Sequence, residues 1–117
     1  MGDSIEVHRW VAEYNWDDGL AAIWPIVDSR NTEHATALMI YWRLEGPWLE
    51  STNTGASAGA RKLCLVVKER LLGGFYFKGS CRYDPVADRG LSKTQVYKLK
   101  KAGLPDELLE PEDPPRG

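Results

Sequence analysis

Apolar residues recur along this chain mostly at helical spacing. Val7, Trp10, Val11 and Tyr14 stand at i, i+3, i+4 and i+7, one stripe of an amphipathic helix. Asp3 suits its N-cap, and Glu6 three residues on has capping-box spacing. His8 and Glu13 fall off the stripe and are expected to face water. The helix is expected to stop at Asn15, inside the turn Tyr14-Asn15-Trp16-Asp17-Asp18-Gly19. Asn and Asp bond locally to backbone in such a turn, and Gly accepts positive φ. Beyond it, Leu20, Ile23, Trp24 and Val27 continue a helical pattern that Pro25 interrupts. Proline suits a first turn or a kink, so the spacing predicts either a short helix from near Ile23 or a kinked one from Leu20.

A polar loop over residues 28–32 precedes the most apolar stretch, through Ala35, Leu38, Met39, Tyr41, Trp42 and Leu44, with Asn31 or Thr32 as the expected cap. This stretch is apolar over more than one face, which predicts a central helix ended by Gly46-Pro47. A strand over residues 38–44 is the alternative, disfavoured by the Ala-rich entry and the length. Small residues over 51–59 read as a linker. A fourth helix follows from about Ala58 to Leu72, closed by Gly73-Gly74. Its expected inward face is Ala60, Leu63, Cys64, Val67 and Leu71, with Arg61, Lys62, Lys68 and Arg70 outward. Phe75-Tyr76-Phe77 is an aromatic run ahead of Gly79, and Tyr83-Asp84-Pro85 a further turn. Ser92 with Gln95 opens a basic helix to Lys101, with Gly103 placed at C′. Pro105 begins a short acidic turn through Leu109, and residues 110–117 read as a frayed tail. The sum is a mainly α, compact single-domain bundle of five or six helices with short connections. The helical domain spans 1–104, and an acidic, Pro-rich tail spans 105–117.

A chain of 117 residues can bury one core but not two. It has no apolar run of the roughly 18–20 residues that a membrane span needs. Neither a basic start nor an apolar stretch follows Met1, so no signal peptide is expected, and Glu6 stands where myristoylation favours Ser or Thr. Two cysteines make no disulfide framework, which fits reduced thiols and a cytoplasmic location.

Charge changes the picture more than composition does. The net charge of −2 hides blocks: residues 1–60 carry three Arg against nine Asp or Glu, residues 61–104 eleven basic against three acidic, and residues 105–117 one against five. Such blocks act on partners and association rates rather than on fold. They either face each other within the molecule or form an exposed docking surface.

Candidate chemistry is sparse. Asp17-Asp18, with Glu13 a turn earlier, is a possible metal or acid–base pair by residue type. Adjacent side chains diverge, however, so Asp18 as an N-cap and Asp17 as a solvated neighbour is the simpler reading. Two carboxylates beside Trp16 would also make a docking edge for a cationic partner. His8, His34, Cys64 and Cys81 lack the paired spacing of structural zinc sites, and Cys64 reads as a buried core thiol. A Cys81–His34 nucleophile pair has no third orienting group. Gly55 and Gly59 ahead of Arg61-Lys62 lack the Walker spacing. The basic residues from Arg61 to Lys101, interleaved with Phe75, Tyr76, Phe77 and Tyr83, fit either solvated helix faces or a nucleic-acid-binding regulator. The acidic first half and tail argue against phosphate. Trp48, at a loop edge between Glu45 and Glu50, is either a lid on the core or an interface anchor. No catalytic residue, cofactor or metal set is signalled, so a non-enzyme is expected.

The motifs Tyr14-Asn15-Trp16-Asp17-Asp18-Gly19, Ala35-Thr36-Ala37-Leu38 leading into Ile40-Tyr41-Trp42, Gly74-Phe75-Tyr76 and Tyr83-Asp84-Pro85 together resemble a family of small bacterial domains labelled only as of unknown function. The likeness runs from about Val7 to Asp88. It implies an all-helical or nearly all-helical fold. Members of this kind are found among polymorphic-toxin neighbourhoods. The resemblance therefore implies a cytoplasmic immunity protein that binds and inhibits a cognate antibacterial toxin, a type VI secretion nuclease effector being the class suggested. A nuclease site is cationic, so the expected partner surface is acidic and aromatic: Glu13, Trp16, Asp17 and Asp18 at the turn, with Glu45, Trp48 and Glu50.

Overall fold

The computed structural model describes residues 3–44, 46–47, 58–79 and 81–109, with the side chain of Asp17 excepted. Among these residues the chain forms six α-helices and two 3-10 turns, and no strand. The helices are α1 (Ser4–Glu13), α2 (Trp24–Asp28), α3 (His34–Arg43), α4 (Ala58–Leu72), α5 (Pro85–Arg89) and α6 (Lys93–Lys101). The 3-10 turns cover Trp16–Asp18 and Asp106–Leu108. The expected all-α, single-core bundle is what the chain forms.

Helix α3 is the axis of the bundle, because nine of its ten residues are buried and α1, α4 and α5 all pack on it. Its apolar surface on every side leaves no face for water, as the pattern implied. Helix α1 starts where Asp3 accepts hydrogen bonds from the N–H groups of Ile5 and Glu6. It lays Val11 fully into the core, with Val7, Trp10 and Tyr14 packed beside it. Helix α4 buries Leu63, Cys64, Val67 and Leu71, four of the five residues expected inward, while Ala60 is half-buried. Pro25 sits in the first turn of α2, where its missing N–H costs nothing.

Five local expectations are corrected. Neither Asn31 nor Thr32 caps α3. Thr32 Oγ1 instead donates to the Ile26 carbonyl at 2.6 Å, closing α2, and the N-cap position falls to Glu33. The first N–H of α3, on His34, is satisfied at 2.8 Å by the Phe77 carbonyl, so backbone rather than a side chain meets the first of its four orphan donors. Helix α3 ends at Arg43, ahead of Gly46-Pro47, which are themselves helical and buried. The turn Tyr83-Asp84-Pro85 opens a short helix, α5, with Asp84 as its cap and Pro85 at the first position. Asp18 caps nothing downstream, since Ile23 holds the N-cap position of α2. The fifth is His8, which is half-buried rather than turned fully to water. Of the expected linker over 51–59, residues 58–59 belong to α4, while residues 51–57 and the tail from 110 lie outside the described residues.

The C-terminal half is tied back by polar contacts. Trp42, fully buried, donates its indole N–H to the Leu108 carbonyl at 2.7 Å, and Leu108 and Leu109 are buried in the same core. Arg43 forms a bidentate pair with Asp88, both bonds 3.0 Å, and Tyr83 donates to Asp88 at 2.6 Å. Tyr76 and Arg70 both donate to the Val27 carbonyl at the end of α2.

Candidate functional site

The turn after α1 is built from the end of that helix outward. Tyr14 leaves helical geometry at ψ 137°, and the Asp18 and Gly19 amides then close back on the Asn15 and Trp16 carbonyls. Gly19 adopts φ +93°, a conformation that a Cβ would strain. The Tyr14 hydroxyl donates to the Gly19 carbonyl at 2.6 Å and pins the turn across its width. Trp10, Tyr14 and Trp16 stack in sequence, with ring centroids 4.7 and 5.3 Å apart. Glu13 and Asp18 stand exposed on either side.

Trp16 is half-buried against the core rather than standing free as an anchor. Its indole Nε1 is buried without a hydrogen-bond partner among the described residues, a cost of about 1–3 kcal/mol. Glu13 thus ends α1, and Trp16 and Asp18 belong to the 3-10 turn that follows it. Asp17 shares the 3-10 turn, but its side chain lies outside the description. Glu45, Trp48 and Glu50 lie outside the described residues as well.

A second polar constellation is absent from the sequence reading. Glu33 is 1% exposed, at the N-cap of the bundle's central helix. Its carboxylate accepts from the Ser4 hydroxyl at 2.6 Å, the Cys81 N–H at 2.9 Å and the Cys81 thiol at 3.0 Å. These bonds join the start of α1, the start of α3 and the segment at Cys81. Burial alone would raise the Glu33 pKa. The three donors, helped by His8, outweigh it and hold the carboxyl below its ordinary range. His8 is half-buried with Nδ1 2.8 Å from the Thr36 hydroxyl, and desolvation lowers its pKa, opposed by Glu33 and the Arg82 backbone.

Chemically this cluster is a latch. Burial and the Glu33 carboxylate push the Cys81 thiol up to about 12, which favours the protonated form that donates a hydrogen bond to Glu33. The polar partner of the Cys81 thiol is Glu33. Among the described residues no group of three or more His, Cys, Asp or Glu side chains is arranged to hold a metal ion. One signal for Glu33 was available: a charge at the first turn of a helix buried on all sides cannot reach water easily.

Gly79 reports on the same cluster. A Cβ built there would collide with the Glu33 carboxylate and the Phe77 ring. Gly79→Ala is therefore expected to cost roughly 1–3 kcal/mol by overpacking. Urea denaturation checks it, and an unchanged midpoint would mean that this segment does not press on Glu33.

No helix among the described residues is long and apolar enough to cross a membrane. Comparison with curated proteins and with solved structures finds nothing that matches. A family model does match, over residues 3–71, which takes in the Tyr14–Gly19 and Ala35–Trp42 motifs and stops short of Gly74-Phe75-Tyr76 and Tyr83-Asp84-Pro85. That match spans more than half of the chain, from the cap of α1 to the end of α4, and so covers the helices that build the core. The chain belongs to the family described as Domain of unknown function (DUF4274).

Proposed function

We propose that this protein is an immunity protein: a non-catalytic, cytoplasmic, bacterial inhibitor that binds one cognate antibacterial toxin. The toxin class that best complements it is a nuclease, of the kind delivered by type VI secretion. The observation that carries the reading is the pinned turn after α1, where exposed Glu13 and Asp18 flank in sequence the packed rings of Tyr14 and Trp16. A surface held in one conformation before binding loses little entropy on docking. Carboxylates there complement a cationic phosphate site and accelerate encounter. The motif resemblance supports the same class of partner, and the protonated, carboxylate-bound thiol of Cys81 supports a binding role over thiol chemistry.

Charge reversal tests the surface. Because Asp18 caps no helix, Glu13→Lys with Asp18→Lys separates binding from stability. The double variant is expected to slow association with the toxin encoded beside it by about tenfold or more at low salt. Its Tm should stay within about 2 °C of wild type, since both side chains are exposed. Unchanged association kinetics in the double variant would place the toxin elsewhere on the molecule.

A further inference from the structure

A groove between α4 and the end of α6 takes no part in the toxin-inhibitor reading. It has a volume of about 410 Å³ and is lined by Pro47, Arg61, Leu65, Lys68, Leu99 and Leu104 among others. We propose that this groove binds a small amphipathic anion, a medium-chain fatty carboxylate, with its alkyl chain on the leucines and its head group on Arg61 and Lys68.

The α6 side of the groove arises from local rules. Helix α6 ends in a Schellman motif: the Gly103 N–H bonds to the Lys100 carbonyl and the Leu104 N–H to the Leu99 carbonyl, both at 3.1 Å. Gly103 supplies the positive φ, +100°, that this ending requires. Such a motif sets the residue after the glycine against the last turn of its helix, and both of these residues, Leu104 and Leu99, line the groove. Between them the lining is Ala102 and Gly103, which have little or no side chain to fill it. A Cβ built on Gly103 would meet nothing within 4 Å, so the space beside this ending is open.

The α4 side supplies the charge. Its lining residues are Arg61, Leu65 and Lys68, at i, i+4 and i+7, one helical stripe about 10 Å long at ~1.5 Å per residue. Leu65 is 48% exposed in the middle of that stripe, an apolar contact left unused. Arg61 and Lys68 are both half-buried. Partial burial makes their attraction for an anion stronger than that of a cation standing in bulk water. Both already interact within the chain, but each carries several N–H donors and can serve a second acceptor.

Leucines joined by charged groups of one sign select the ligand. Among the described residues no carboxylate lines the groove, so the charge it reads is negative. Its volume falls in the range of small-molecule sites, where apolar walls hold the body and a few polar groups fix the orientation. A fatty carboxylate, ionised at neutral pH, matches both parts. A nucleotide fits less well, because no aromatic side chain among the described lining residues is there to stack on its base.

The test is isothermal titration calorimetry on the full chain with octanoate, octanol and octylammonium, which share one alkyl chain and differ in head-group charge. Octanoate is expected to bind saturably, at least about tenfold more tightly than either of the others. Arg61→Gln with Lys68→Gln should lower octanoate to the affinity of octanol and leave octanol unchanged, which separates lost charge from a lost fold. Leu65→Asp should weaken octanoate by about tenfold or more, with circular dichroism unchanged. Three results would overturn the proposal: no saturable binding of octanoate, as when a protein segment fills the groove instead; octanol or octylammonium bound as tightly as octanoate; or octanoate binding that either variant leaves intact. None of these outcomes depends on whether the turn after α1 binds a toxin.

Discussion

Glu33→Ala is expected to destabilise the protein by roughly 2–5 kcal/mol, among the largest effects of any single change. The substitution strips the partner from three donors at once, the Ser4 hydroxyl and the Cys81 amide and thiol. A buried donor left unpaired costs about 1–3 kcal/mol, and the Cys81 residue is itself buried. Glu33→Gln keeps an acceptor oxygen and should lose about half as much. Urea unfolding measures both, and a near-neutral Glu33→Ala would show that the three segments are held by packing alone.

The same carboxylate sets the acid limb of stability. The folded pKa of Glu33 lies below its unfolded value of 4.5, so its contribution is complete above that value and is lost as pH falls through the folded pKa. Asp88, held down against burial by Tyr83 and Arg43, acts in the same direction. His8 enters earlier. Its folded pKa also lies below the unfolded 6.5, so the unfolded chain takes up the proton first, and stability begins to decline as pH drops below about 6.5. Stability should therefore fall in two stages on acidification, the first of which His8→Gln removes. A single stage unaffected by that substitution would contradict the burial of His8.

Trp42→Ala is the second large effect, at about 3–5 kcal/mol, the range for truncating a large aromatic in a core. Trp42 is fully buried, packs edge-on against Tyr41 with centroids 6.0 Å apart, and bonds to the Leu108 carbonyl. Its loss opens a cavity and leaves that carbonyl unpaired, loosening the 3-10 turn Asp106–Leu108 from the core. Trp42→Phe restores most of the volume but not the N–H, and should cost about 1–2 kcal/mol. Both are read from the denaturation midpoint. Equal costs for Ala and Phe would assign the effect to the hydrogen bond rather than to packing.

The helices were legible because their signals are local. Helix α4 has the predicted bounds, Ala58–Leu72, since its apolar period and its glycine stop agree. The capping box at Ser92 and Gln95 forms as its spacing implied, and Gly103 takes the C′ position. Helix α5 was read as a turn, because five residues are too few to show a 3.6-residue period. Thr32 looked like a cap but found a nearer acceptor in the Ile26 carbonyl, which only the tertiary position of α2 supplies. The latch was hidden for the same reason: Ser4, Glu33 and Cys81 lie 29 and 48 residues apart, with no spacing rule to connect them. At the candidate interface, Glu13 was legible as an exposed charge, whereas Asp18 looked like a cap and caps no helix. The half-burial of Trp16 was not, since it depends on the edge-to-face contact with Tyr14 and on packing against the core.

Inhibition of a toxin by binding is the central claim, and one titration tests it most directly. The product of the reading frame beside this one is purified, its nuclease activity on plasmid DNA is measured, and this protein is added in increasing amounts. The account predicts activity falling linearly to background near one equivalent, with a stable complex on gel filtration. A folded protein that leaves the nuclease fully active at large molar excess would contradict it.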